Sequence, residues 1–264
     1  MLSDNRISHI YDFVNAKDCF PNASIGGGVN YLLWNSSYKG DCKITTIQGN
    51  NRDTETRALN QFNVFIRYNA AIHIVKKCYS EKSLATIVNT RNPFNLSSNI
   101  RGSQTGDLRL ISSDGISWLP QDAVSASNQL VGKYKILMSK VTAEHAGEPD
   151  KNGQFKIISR TEVINPNDVC TDSYLIIGAS LNKEIVENEY SFLKTRFARF
   201  LLMLSVSSIN LSPDKFQFVP LQDFTKKSDI DWTQSIADID RQLYIKYKLT
   251  EEEITFIESM IKPM

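Results

Sequence analysis

The succession of strand-like and helical segments along this chain predicts an α+β fold. Three observations carry the prediction. The opening residues read as strands and hairpins. Asp114-Gly115 lies between two short apolar runs, which is a hairpin signal. In the last third, apolar residues recur at helical spacing. The 264 residues suit one large domain or two small ones.

Taken in order, Ile7 to Asn15 reads as a strand, followed by a turn through Phe20-Pro21. Gly26-Gly27-Gly28 leads into Val29 to Trp34, a mostly apolar run of buried-strand type. Cys42 to Ile47 is a further strand, and the polar stretch Gly49 to Thr56 reads as a loop and a plausible boundary. Tyr68, Ala71, Ile72, Val75 and Cys78 form the stripe of a helix over 66–79. Ser83 to Val88 fits strand or helix. Residues 89–106 are loop-like, and Leu108 to Ile111 pairs with Ile116 to Leu119. Tyr134 to Met138, Phe155 to Ser159, Ser173 to Ile177 and Phe216 to Val219 read as strands. A long amphipathic helix is expected over 184–205. Thr250 followed by Glu253 makes a capping box for a C-terminal helix ending before Pro263.

Net charge is +1, which gives no global case for a polyanionic partner. Its distribution says more. Residues 60–140 hold ten Lys/Arg against four acids, a balance of +6, while residues 222–264 hold six against nine, a balance of −3. A basic middle fits one face presented to a polyanion, and an ordinary solvated surface is the alternative. The four cysteines are widely spaced, with no zinc-type cluster, and predict buried reduced thiols. The start of the chain lacks a signal-peptide pattern and no apolar run is long enough to span a bilayer. A cytoplasmic protein with no membrane partner is expected.

Familiar catalytic patterns are missing. The glycine triplet precedes a strand-like run, whereas a phosphate loop precedes a helix. His9, His73 and His145 have no second ligand or base near them in sequence. There is no nucleophile elbow and no deaminase signature. Asp150 to Lys156 is only a loose match to a magnesium nuclease, and Glu144, Glu148 and Asp150 read as loop solvation. Neither the methyl-donor loop nor the Asn/Asp-Pro-Pro-aromatic motif of an adenine methyltransferase is present, since Asn92-Pro93 and Asn165-Pro166 lack a second proline.

One resemblance runs along nearly the whole chain. Asp12-Phe13-Val14-Asn15, Phe20-Pro21, Ile25-Gly26-Gly27-Gly28-Val29-Asn30-Tyr31 to Trp34, and Tyr38-Lys39-Gly40-Asp41-Cys42 resemble the closing strands of the catalytic domain in adenine-N6-specific DNA methyltransferases of the type II and fused restriction-modification kind. Phe65 to Asn69, Arg91 to Phe94, Tyr134 to Ile136, Cys170 to Gly178, Lys194 to Phe197, Phe218 to Phe224 and Tyr247 to Ile254 follow in matching order. The resemblance implies that residues 1–50 are terminal strands of a catalytic domain and residues 51–264 a DNA target-recognition domain. The donor loop and catalytic motif would lie upstream of residue 1. No cofactor is then expected in this chain, and S-adenosylmethionine belongs to the catalytic domain outside it. The implied partners are double-stranded DNA and that domain.

On this reading, Lys133, Lys135 and Lys140 flank a strand from which lysines neutralise phosphates, setting position but not sequence. Arg91 and Asn92, on a loop stiffened by Pro93, are the first candidates for base readout, because Arg pairs with guanine and Asn with adenine in the major groove. Arg101, Ser103 and Gln104 form a second polar loop of the same kind. Lys194, Arg196 and Arg199 lie on the amphipathic helix and are assigned to structural pairing. Two alternatives remain: a protein-interaction module, or the nuclease part of a restriction enzyme.

Overall fold

A computed structural model describes residues 1–22, 25–89, 91–144, 149–206 and 208–264. The fold is α+β, as expected. The chain opens with β1 (Ile7–Phe13), β2 (Val29–Trp34), β3 (Cys42–Gln48) and β4 (Asn51–Arg57), in the order β2-β1-β3-β4. β1 runs parallel to β3, and the other two pairings are antiparallel.

Two expectations fail here. β2 is not buried: Tyr31, Leu32, Leu33 and Trp34 are all exposed. It is an edge strand, and its apolar composition matches a strand with neighbours on every side. The polar stretch 49–56 is not a loop. Gly49, at φ +58°, turns the chain into β4. Its sequence, NRDTETR, hides a strand because only Arg57 is buried and no apolar alternation marks it. A division at residue 50 therefore passes through the turn of a regular hairpin.

A central sheet comprises β7 (Tyr134–Ser139), β8 (Thr161–Ile164) and β10 (Tyr174–Ser180), ordered β10-β7-β8. Beside it lie β5 (Leu108–Ser112), β6 (Gly115–Leu119) and β9 (Asp168–Cys170), ordered β6-β5-β9. The Asp114-Gly115 hairpin is present. The central sheet is apolar on both faces. Ile136, Met138, Leu175 and Ile177 enter the large helical core, while Leu137, Ile164 and Ile176 pack with Leu110 and Val169. β8 and β9 escape sequence reading because each is short and half polar. Phe155 to Ser159 forms no strand, and Ile157 lies at φ +67°. The Glu144 carboxylate accepts from the backbone N–H of Lys156 and Ile157 instead.

The helices are α1 (Asn69–Cys78), α2 (Lys183–Lys194), α3 (Arg196–Met203), α4 (Ile236–Lys246) and α5 (Glu251–Met260). The single long helix expected over 184–205 is two. Thr195, with ψ 150°, breaks it, and its Oγ1 accepts from Ala198 N–H at 3.1 Å to cap α3. The buried Asp240 carboxylate of α4 takes the N–H groups of Arg196 and Phe197 at 3.0 and 2.9 Å. The freed donors of a new helix start are thus satisfied. Arg199 is 1% exposed and donates to four carbonyls, those of Lys194, Thr195, Lys156 and Lys262. Arg196 pairs with Glu258 at 3.0 Å, and the Lys194 ammonium sits over the Tyr190 ring, so these cations do pair internally. Phe216 and Phe218 lie in a 3-10 turn, not a strand. The capping box of α5 is formed, with Thr250 N–H donating to Glu253 at 2.8 Å.

Candidate nucleic-acid interface

The loop after α1 is anchored to the central sheet. Asn89 N–H donates to Ile176 O at 2.8 Å, and Asp172 N–H to Leu96 O at 2.9 Å. Phe94 is fully buried. Asn92 takes the left-handed conformation at φ +59°, and its Oδ1 accepts from Leu96 N–H at 2.8 Å. Reading adenine takes both ends of an Asn amide. Here the oxygen is spent on the loop's own turn, so Asn92 shapes the loop. Arg91, next to it, is exposed.

β7 ends beside this loop. The half-buried Lys140 follows it and donates Nζ to Asp172 O. Burial, and then the positive charge of Arg91, lower the Lys140 pKa, while Asp172 acts in the opposite sense. The anchors at Asn89 and Leu96 set the loop that carries Arg91 beside Asp172 and hence beside Lys140. β8 begins at this same end, with Met138 opposite Thr161. Arg160 just before it pairs with Glu162 at 2.6 Å and donates Nη1 to Tyr174 Oη at 3.1 Å. Tyr174 Oη in turn donates to Ser112 O, beside the β5–β6 turn. That turn carries Asp114, which pairs with Arg101 at 2.8 Å. Arg101 also donates to Ser98 O and Ile100 O. Gln104 is exposed on the same loop, which is held to β6 by the Ser103–Trp118 bridge. Gly102 is required at that crossing, because a Cβ there would collide with Ser117 and the Trp118 carbonyl.

One end of two sheets therefore gathers Arg91, Arg101, Lys140 and Arg160, facing Asp114, Glu162 and Asp172. Four cations against three carboxylates leave one net positive charge. The Arg101 and Arg160 pairs have both partners more than 40% exposed. Such pairs hold only about 0–1 kcal/mol, so either guanidinium can exchange its carboxylate for a phosphate at small cost. Arg160, just past the stretch Phe155 to Ser159 that reads as a strand, is not among the residues the sequence points to. Its signal was the Arg-x-Glu spacing across a strand start.

The three lysines of β7 do not form one patch. Lys133 and Lys140 sit at opposite ends of the strand, about 20 Å apart at 3.3 Å per residue. Lys135 is not a surface lysine at all. It is 0% exposed, and its ammonium donates to the carbonyls of Val131, Lys133 and Asn165 at 3.4, 2.9 and 3.1 Å. Burial pushes its pKa down to about 8. It ties loops together and offers nothing to a phosphate.

Among the described residues no group of three or more His, Cys, Asp and Glu side chains is placed to hold a metal. His145 and Glu148 lie outside the described residues. His9 and His73 stand on β1 and α1, far apart in the chain. Gly26 to Gly28 lead into strand β2, so no helix N-terminus follows to bind a phosphate. Three of the four cysteines are buried, and burial pushes the thiols of Cys42, Cys78 and Cys170 up to about 11, 12 and 12. No described helix is long and apolar enough to cross a membrane. Set against known proteins, the chain matches no family model and no curated protein.

Proposed function

We propose that this chain is the DNA target-recognition part of an adenine-specific DNA methyltransferase or restriction-modification enzyme. Its role is to hold duplex DNA while a separate catalytic domain, which carries S-adenosylmethionine, methylates a flipped adenine. The observation that supports this most is the meeting of Arg91, Lys140, Arg101 and Arg160 at one end of two rigid sheets. Loops seated on strand ends are a common place for binding residues. The order of the family-like segments along the chain supports it as well. The open apolar edge of β2 suits the addition of a partner's strand. The cysteines are free of disulfides and three are buried, which suits a reducing, cytoplasmic setting.

In the reading's working form, Lys140 and Arg160 hold phosphates, while Arg91 and Gln104 reach base edges. Selection from a random duplex pool, followed by sequencing, tests this. Wild type enriches a defined motif. Arg91→Ala relaxes one position of it, and Lys133→Ala, at the far end of β7, leaves the motif intact. Enrichment of no motif by the wild type contradicts sequence recognition by this chain. The protein-interaction alternative draws on the same exposed β2, and is favoured if duplex binding is absent at low salt.

A further inference from the structure

We infer that the open face of the first sheet is a stacking platform for unpaired DNA nucleotides, separate from the duplex-binding end. Strand alternation divides this sheet into two chemically different faces. On one, Ile10, Asp12, Ile44 and Arg57 turn inward, packed with Leu59 and tied to Arg67 and Asn69. The other looks outward.

On that outward face, β1 and β2 present His9, Tyr11, Phe13, Tyr31 and Leu33. The rings form a row. His9 lies parallel to Tyr11 at 6.5 Å, Tyr11 stacks on Tyr31 at 4.9 Å, and Tyr31 meets Phe13 at 6.0 Å. Tyr31 and Leu33 are 53% and 56% exposed. In a core, rings of this size are covered. Here Tyr31 is open to solvent, while His9, Tyr11 and Phe13 are half-buried beside it.

β3 and β4 complete the same face with Lys43, Thr45, Ile47, Arg52, Thr54 and Thr56, by the pairing of Lys43 with Thr56, Thr45 with Thr54, and Ile47 with Arg52; Thr45 and Ile47 are buried there. Lys43 and Arg52 are exposed. Among the described strand residues this face carries no carboxylate. The acids of β1 and β4, namely Asp12, Asp53 and Glu55, all alternate to the other side. Asp18, at the β3–β4 turn, is engaged with Gly49 N–H at 2.8 Å.

The face is thus split into rings on two strands and cations with hydroxyls on the next two, about 5 Å away per strand. A nucleotide is split in the same way, with an apolar base face on one side of its sugar and a phosphate on the other. Stacking on aromatic rings beside a cationic track is the general chemistry of single-strand binding. A duplex hides its base faces and cannot use the rings. A second copy of this chain brings no carboxylate to answer Lys43 and Arg52 across an isologous contact. The commitment to DNA over RNA rests on the recognition reading above; the stacking surface itself does not.

The test is fluorescence anisotropy with labelled oligothymidylate of roughly 16 nucleotides, the matching oligouridylate and a duplex, with sedimentation to read oligomeric state and circular dichroism to check folding. Wild type is expected to bind oligothymidylate. Tyr31→Ala weakens that binding roughly tenfold, as for the loss of one stacked base, and leaves duplex binding unchanged. Lys43→Ala with Arg52→Ala lowers the salt slope by about 1.4, the value for two single-strand phosphates. The inference is overturned if folded Tyr31→Ala binds oligothymidylate like wild type. It is also overturned if only oligouridylate binds, or if wild type is a dimer that Tyr31→Ala splits and no oligonucleotide binds. If oligothymidylate binds through Tyr31 while no duplex does, the platform stands and the recognition reading fails.

Discussion

The central sheet β10-β7-β8 is covered on both faces, whereas the sheet β2-β1-β3-β4 is covered on one face only, and its edge strand β2 on neither. Both are rich in large apolar residues. In the central sheet Leu137 and Ile136, neighbours in sequence, are each fully buried on opposite faces. In the first sheet Leu32 and Leu33 are 38% and 56% exposed. The difference lies in the layers around each strand. β7 has strands on both sides, helices over one face and a second sheet over the other. β2 has one neighbour and an open edge. Apolar content therefore tells what a strand suits, and its neighbours decide what it buries. Where the two disagree, a surface is left for a partner.

Mutation in the two sheets should separate them sharply. Leu137→Ala is expected to cost about 3 kcal/mol, from lost burial and the cavity left. Leu33→Ala should change stability by no more than about 0.5 kcal/mol. Urea midpoints at equal m-value read both. Equal costs would mean that β2 is covered in solution.

A second difference is electrostatic. The covered region holds ionisable groups under strain of burial. The Glu189 carboxyl on α2 packs against Gly178, which lies at φ +56°, and fills the space a Cβ there would take. Its Oε2 has no hydrogen-bond partner, and burial pushes its pKa up from 4.5 to about 7. Between those values the folded chain holds the proton more firmly than the unfolded chain. Stability therefore falls as pH rises from 4.5 towards 7, and then levels off. Glu189→Gln should remove this fall and gain up to about 3 kcal/mol over wild type at neutral to alkaline pH, at 1.36 kcal/mol per pKa unit. Thermal melts at acid and alkaline pH measure it. A wild-type stability flat across that window would place the carboxyl in water.

Lys135 and Arg91 sharpen the contrast at smaller scale. Lys135→Met takes a donor from three carbonyls, of which those of Val131 and Asn165 keep the N–H groups of Asn167 and Asp168, and should cost about 1–3 kcal/mol, with no change in DNA affinity for the folded fraction. Arg91→Ala should leave stability within about 0.5 kcal/mol and relax one position of the bound motif at an unchanged duplex salt slope. The reverse pattern would return Lys135 to the surface.

The sequence made the α+β class, the Asp114-Gly115 hairpin, α1 and the α5 capping box legible, because each rests on local chemistry. What it hid depends on tertiary context. β4 carries no apolar pattern, so only its pairing with β3 reveals it. The break at Thr195 needs Asp240, 45 positions later, to accept the new N–H groups. α4 had a local signal, Ser235 capping Asp238 N–H at 3.2 Å, but its apolar stripe is thin. For the interface, charge type identified Arg91, Lys140 and Arg101, which fold to one end. Charge type alone also suggested Lys135, because its burial depends on the fold bringing the Asn165 carbonyl, 30 residues away, to join those of Val131 and Lys133 in accepting from its ammonium.

DNA is proposed to bind at the end where Arg91, Lys140 and Arg160 meet. The direct measurement is anisotropy of a labelled duplex across a salt series, comparing wild type with Arg91→Ala/Lys140→Ala/Arg160→Ala and with Lys133→Ala. Steeply salt-dependent binding is expected, with a slope lower by about 2 in the triple variant, from the phosphates released by Lys140 and Arg160, and a wild-type slope in Lys133→Ala. A triple variant, folded and binding with the wild-type slope, would contradict it.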